Sequence, residues 1–213
     1  MPPLQKPDTA SPLSPDALLT FALAFSRELA ELHALDQVHG ALHPSVILWD
    51  GTQELSILPP ENHHRERDPE VLTHWSPEQA RGDPPTQRSD VFAAGVLLHE
   101  LATGVHPFWD ETTRIDDASD LEDIYAHLPY RPAEPLAMHR PDLWLDWDAL
   151  LSICLALEPR ERFASALDLE KQIQKLAREG GRARLRFRPH WPRIVLAVIL
   201  LGLVILALYL GLA

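Results

Sequence analysis

The 213-residue chain carries 31 acidic against 19 basic side chains, room for one domain of ordinary size and not comfortably for two. Five of the arginines fall at 182–193, so the first 181 residues hold 14 basic against 31 acidic groups, a charge of about −17; that balance excludes nucleic acid, whose phosphates need a basic surface. Cys154 is the only cysteine, which excludes an intrachain disulfide and, inside LSICLAL, reads as a buried structural thiol.

Residues 1–13 hold four prolines and little apolar bulk, the composition of a flexible leader. Ser14-Pro15-Asp16 then supplies a capping hydroxyl, a proline at the first helical position and an acid in the first turn. Apolar residues at Leu18, Phe21, Ala22, Phe25, Leu29 and Leu32 follow with helical spacing, predicting a one-sided helix to about Leu35. After HGALHPSVIL (39–48), the runs VILW (46–49) and ELSI (54–57) flank Asp50-Gly51, a small hairpin. The charged, proline-rich stretch 59–70 reads as a loop, and a helix is expected to begin near Ser76-Pro77-Glu78. SDVFAAGVLLHELATG (89–104) is apolar around nearly its whole circumference, so it predicts a central helix, capped by Ser89 and stopped at Gly104. Residues 105–141 are poorly periodic and predict one short helix around 119–127. A helix over 147–159 ended by Pro159, and an amphipathic one over 165–181, complete the domain; the second has Ser165 and Asp168 as a capping pair and Gly180 as terminator.

The last twenty residues, IVLAVILLGLVILALYLGLA (194–213), contain no charge and no proline. At about 1.5 Å per residue such a helix spans the roughly 30 Å hydrocarbon core. Arg182, Arg184, Arg186, Arg188 and Arg193 precede it, with Trp191 at headgroup level. Arginines beside a span favour the cytoplasmic side, so the expectation is a single-pass anchor with residues 1–193 cytoplasmic and 182–193 a basic juxtamembrane strip.

The order of elements and four motifs resemble the C-terminal lobe of eukaryotic-like Ser/Thr protein kinases, in particular the bacterial membrane-anchored type. The family's catalytic loop reads H-R-D-L-x-x-x-N, and the stretch from 39 matches it at His39, Leu42, Pro44, Ser45, Ile47 and Leu48. WSPEQARGD (75–83) resembles the end of the activation segment, SDVFAAGVLLHELATGVHPF (89–108) the central-helix signature, and LEPRERFASALDL (157–169) the arginine-bearing loop before the final helix. The resemblance covers about 15–180. It implies that Glu78 pairs with Arg162, that Asp90 accepts hydrogen bonds from the catalytic-loop backbone, and that His39 serves the same scaffold.

The groups that handle phosphate are replaced. Phosphoryl transfer needs a carboxylate for the attacking hydroxyl, acids and amides for Mg²⁺, and a cation for the γ-phosphate. The base position is Ala41, the arginine beside it Gly40, the lysine position His43 and the metal-binding asparagine Val46. No Asp-Phe-Gly occurs near Leu58-Pro59-Pro60, and Asp50 sits in the hairpin turn. No glycine-rich loop or Val-Ala-Ile-Lys strand occurs anywhere, so the nucleotide lobe is expected either to be lost or to be encoded upstream. His63, His64 and His74 lack the spacing of a zinc site, and Ser45 with His43 lacks a nucleophile elbow. Trp109, Trp144 and Trp147 read as core or partner-facing anchors, and DDASDLED (116–123) as a solvated acidic face.

The sequence therefore predicts a mainly α, kinase-like C-lobe over 14–181, with one β-hairpin and no N-lobe, followed by a transmembrane helix. The function implied is that of a catalytically inactive pseudokinase, a scaffold or regulator binding other proteins such as an active kinase or its substrates. No cofactor and no metal are expected. The alternatives are an active kinase whose N-lobe is encoded upstream, and a decayed fragment without function. In the resembled family, proteins dock on the surfaces around 76–83 and 105–140.

Overall fold

The computed structural model describes residues 4–59, 69–109, 113, 115, 118–127, 135–143 and 145–186. Helix α1 spans Pro15–Ala34, with Ser14 Oγ accepting the Ala17 N–H at 3.3 Å. Its buried face carries Leu18, Phe21, Ala22, Phe25 and Leu29, the stripe expected from the spacing. A single 3₁₀ turn at Pro44–Val46 leads into strand β1 (Ile47–Trp49), which pairs antiparallel with β2 (Leu55–Ile57) in the register Ile47–Ile57 and Trp49–Leu55. Four-residue helices α2 (Pro69–Leu72) and α3 (Pro77–Ala80) precede the long helix α4 (Gln87–Thr103). Then come α5 (Ala118–His127), α6 (Leu136–His139), α7 (Leu145–Cys154) and α8 (Ala166–Arg186).

Helix α4 is the centre. Its residues Val91 to Leu98 are all buried, because α1, α7 and the aromatic cluster of Phe92, Phe108 and Tyr125 cover it from different sides. Gly95 explains how α7 comes so close: a Cβ there would stand 2.7 Å from Cys154 Cβ. Such an overlap outweighs the roughly 1 kcal/mol that a helix-interior glycine costs. Cys154 is fully buried, and burial pushes its thiol far above the ordinary range, as suits an inert core residue.

Several boundaries differ from the sequence expectation. The described part of the leader is tied down: Gln5 exchanges both backbone hydrogen bonds with Trp49, at 2.9 and 2.8 Å, and the Leu13 N–H donates to the Leu101 carbonyl. Arg140 donates to the carbonyls of Leu13 and Ala102 together. Helix α4 starts two residues before Ser89, whose hydroxyl accepts the Thr86 N–H at 3.0 Å from inside the first turn. Helix α7 stops at Cys154 rather than at Pro159, and the carbonyls of Ala156 and Leu157 beyond it turn to Arg162. Helix α8 runs through Gly180 and Gly181 to Arg186; glycine weakens a helix without forbidding it. Helices α2 and α6 were not legible, since four residues show no period.

The chain divides into two compact units, residues 1–177 and 178–213, and of the second the described part is the end of α8. Among the described residues no helix is long and apolar enough to cross a membrane. The expected span at 194–213 and most of the basic strip, along with His63, His64, Trp144, Asp116 and Asp117, lie outside the described residues.

Candidate functional site

The loop that follows α1 is held from beneath by one buried carboxylate. Asp90, in the first turn of α4, accepts the His39 N–H at 2.8 Å on Oδ2 and the Gly40 N–H at 2.7 Å on Oδ1. Its Oδ2 also meets His33 Nε2 at 3.0 Å. His33 Nδ1 accepts the Ala166 N–H at 3.0 Å, so the proton of this imidazole sits on Nε2 and points at Asp90. One side chain thus joins the end of α1, the Asp90 carboxylate of α4 and the start of α8. It satisfies the first backbone N–H of α8, next to Ser165, which directly precedes the helix as the sequence predicted.

His39 is fixed in the same way. Its Nε2 donates to the Leu58 carbonyl at 2.8 Å and its Nδ1 accepts the Ala41 N–H at 3.3 Å. Burial lowers this imidazole below its ordinary value, against the opposing pull of the Leu58 carbonyl and Asp90. The loop is therefore anchored to α4 on one side and to the end of β2 on the other.

Gly40 is clamped at both ends. Its carbonyl accepts Gln79 Nε2 at 2.8 Å, while Gln79 Oε1 receives the Ser76 N–H and hydroxyl. Gly40 lies at φ +71°, and a Cβ there would stand 2.8 Å from Pro85 Cγ. The arginine of the resembled motif has no room at this backbone position. Gly51 supplies a control, because it lies at φ +84° with open space around it. Gly51→Ala is expected to cost about 1 kcal/mol, the left-handed penalty alone. Gly40→Ala and Gly40→Arg should each cost about 1–3 kcal/mol more from overpacking. Urea denaturation of the three variants checks this; equal losses at 40 and 51 would remove Pro85 from the argument.

The positions that carry chemistry in the resembled motif are occupied by groups turned inward. Ala41 is half-buried and presents a methyl group. His43 is 3% exposed, with Nδ1 at 2.8 Å from Ser45 Oγ, and Val46 is 6% exposed within the hydrophobic core. Asp50 stays in the turn, where Thr52 Oγ1 and the N–H groups of Thr52 and Glu54 bond its carboxylate. These bonds, the Thr52 hydroxyl first, hold its carboxyl below the usual range. Among the described residues no group of three or more His, Cys, Asp or Glu side chains could hold a metal ion.

A second buried centre ties α3 to the loop before α8. Arg162 donates from Nη1 to Glu78 Oε1 at 2.7 Å and from Nη2 to Oε2 at 2.8 Å. Its other N–H groups reach the carbonyls of Ala156, Arg88 and Leu157, so all five donors of the guanidinium are used. The Phe92 ring lies 4.8 Å from its central carbon. Ser89 Oγ donates to Glu78 Oε1 at 2.8 Å. Burial alone would raise the Glu78 carboxyl, but the Arg162 bonds and charge outweigh it and hold the group below its ordinary value. Ser89, Gln79 and His33 were missed as site residues. Gln79 and Ser89 lie inside the motif stretches 75–83 and 89–108, the signal that could have found them, whereas His33 lies in none.

No protein-family model matches the chain. It is similar to curated proteins named as bacterial serine/threonine kinases. A probable serine/threonine-protein kinase of Corynebacterium efficiens is 28% identical over 181 residues, 78% of this chain and 26% of that protein. Serine/threonine-protein kinase PkaA of Streptomyces coelicolor is 31% identical over 178 residues, 78% of this chain and 30% of its own length. Serine/threonine-protein kinase PknB of Mycobacterium tuberculosis is 35% identical over 103 residues, 48% of this chain and 15% of that protein. The chain spans less than a third of each of these relatives. The similarities make it a kinase-related protein with a kinase-like domain, mainly helical with one two-stranded sheet.

Proposed function

We propose that this chain is a catalytically inactive, membrane-anchored pseudokinase that binds other proteins as a scaffold or regulator. The observation that carries the reading is the loop at 39–46. A methyl group stands at the base position, an apolar core residue at the metal-binding position and a buried imidazole at the lysine position. The carboxylate that touches the loop, Asp90, is engaged by three donors and faces the scaffold. Loss of a general base alone costs about 10²–10⁴ in rate, and the metal-binding side chains that neutralise charge are replaced with it. Residues 194–213 serve as the anchor in this reading, with the arginines of 182–193 on the cytoplasmic side. The surfaces around 76–83 and 105–140 are then the ones that meet protein partners.

An active phosphotransferase is the second reading, favoured by the names of the relatives. Thermal unfolding with and without ATP and Mg²⁺ separates the two. The expected result is no Mg²⁺-dependent shift at millimolar nucleotide. A ligand at 100 times its Kd stabilises by about 2.7 kcal/mol, so a shift of several degrees would favour the active enzyme.

A further inference from the structure

Away from the catalytic-loop region, the segment after α4 brings a group of imidazoles together. His106 lies flat on Trp109, ring centroids 3.5 Å apart and 13° from parallel, and faces His74 edge-on at 6.5 Å. Its Nε2 bonds to the Thr73 carbonyl at 2.9 Å, and its Nδ1 takes the Phe108 N–H at 3.2 Å. A carbonyl can only accept and an amide N–H can only donate, so this geometry holds His106 as the neutral Nε2–H tautomer. The lone pair on which a proton would land is the one the Phe108 N–H already uses. Protonation would set two donors against each other.

The groups around it give little shelter to a cation. Among the described residues, His74 faces it from the turn after α2 with Glu100 of α4 behind it, His99 acts on it from α4, and Tyr125 of α5 lies beyond Trp109. The carboxylate of Glu100 is engaged by His74 Nε2 at 3.1 Å. The Tyr125 hydroxyl donates to the Trp75 carbonyl, and burial raises it far above neutral pH. Burial first, then the charge of His74, outweigh the opposing pull of the Thr73 carbonyl and, with a smaller push from His99, hold the His106 imidazole well below its ordinary value.

We propose that His106 is a proton-operated latch: uptake of a proton at Nδ1 detaches residues 104–109 from residues 73–75 while the α4 core stays folded. Opening would expose the Trp109 and Phe108 rings, in the stretch that begins the 105–140 surface. The sign follows from linkage. The closed state resists the proton and the open state takes it near pH 6.5, so closure is fully favoured above that pH and weakens as pH falls below it. With one proton involved, the opening equilibrium rises about tenfold for each pH unit below 6.5.

Hydrogen exchange of the full chain between pH 7.5 and 5.0, corrected for intrinsic exchange, tests this. The expected result is a tenfold rise per pH unit in peptides covering 104–109, with no rise in peptides covering 91–98. His106→Gln offers a donor and an acceptor without titrating, and it should abolish the rise. No rise in the unmodified chain, an equal rise at 91–98, or an unchanged rise in the variant would each overturn the proposal. Should the variant not fold, imidazole NMR of His106 in the unmodified chain decides. Titration in step with exposure of 104–109 supports the latch, and titration near 6.5 with the segment still protected overturns it.

Discussion

Arg162→Ala is expected to lower the stability of the domain by about 3–5 kcal/mol, the cost of leaving one partner of a buried ion pair uncompensated. Total stabilities of domains lie near 5–15 kcal/mol, so the variant should be close to unfolding at physiological temperature. The size follows from the geometry: Glu78 is 5% exposed and would keep the Ser89 hydroxyl and its own backbone N–H but no charge partner, while the carbonyls of Ala156 and Leu157 lose the donor they share with it. The pH dependence supplies an independent sign. In the unmodified chain the Glu78 carboxyl is held below its ordinary value, so its contribution is present above about pH 4.5 and is lost as pH falls through the folded value. Without the guanidinium, burial is opposed by the Ser89 hydroxyl and the residue's own N–H alone, so the carboxyl rises from its value in the parent. The deficit of the variant relative to the parent should therefore shrink on mild acidification. Urea titrations at pH 7 and pH 5 measure both effects. A loss under 1 kcal/mol would class the pair with exposed salt bridges.

Asp90→Ala should be of similar size, about 3–5 kcal/mol, because it strips the acceptor from three buried donors at about 1–3 kcal/mol each, not fully additive. Asp90→Asn is the sharper experiment. Its remaining oxygen can keep His39 and His33 on the Oδ2 side, but its amide then opposes the Gly40 N–H. His33 cannot relieve the conflict by moving its proton, since Nδ1 is held by the Ala166 N–H. The expected cost is about 1–3 kcal/mol, one unmet donor, with faster hydrogen exchange confined to residues 39–41. Equal damage from Asn and Ala would show that the charge matters rather than the count of acceptors.

Both expectations rest on residues that were unequally legible. Glu78, Asp90 and Arg162 stand in motifs, so the resemblance implied their partners before any geometry was available. His33 stands in no such motif: it lies 57 residues from Asp90 and 133 from Ala166, and nothing in ELHALD shows that α1 ends where both converge. Gln79 and Pro85 closing on Gly40 are likewise contacts between elements remote in sequence. Helix ends were misjudged as well, as at Cys154, beyond which the carbonyls of Ala156 and Leu157 turn to Arg162.

Composition and spacing alone determined that α1 and α4 are helices, with the faces they bury, and that a hairpin turns at Asp50-Gly51. They also determined that no carboxylate, lysine or asparagine stands at residues 41, 43 and 46, because the identity of a side chain is independent of how the chain folds. Only the tertiary structure decided what became of the space: His43 and Val46 are folded inward, Gly40 is pinned under Pro85, and both oxygens of Asp90 are spent on the loop. It alone brought His106 against His74 and Trp109. Hydrogen bonds and ring contacts depend on distances between elements, and those are set by packing around α4, which no window of sequence contains.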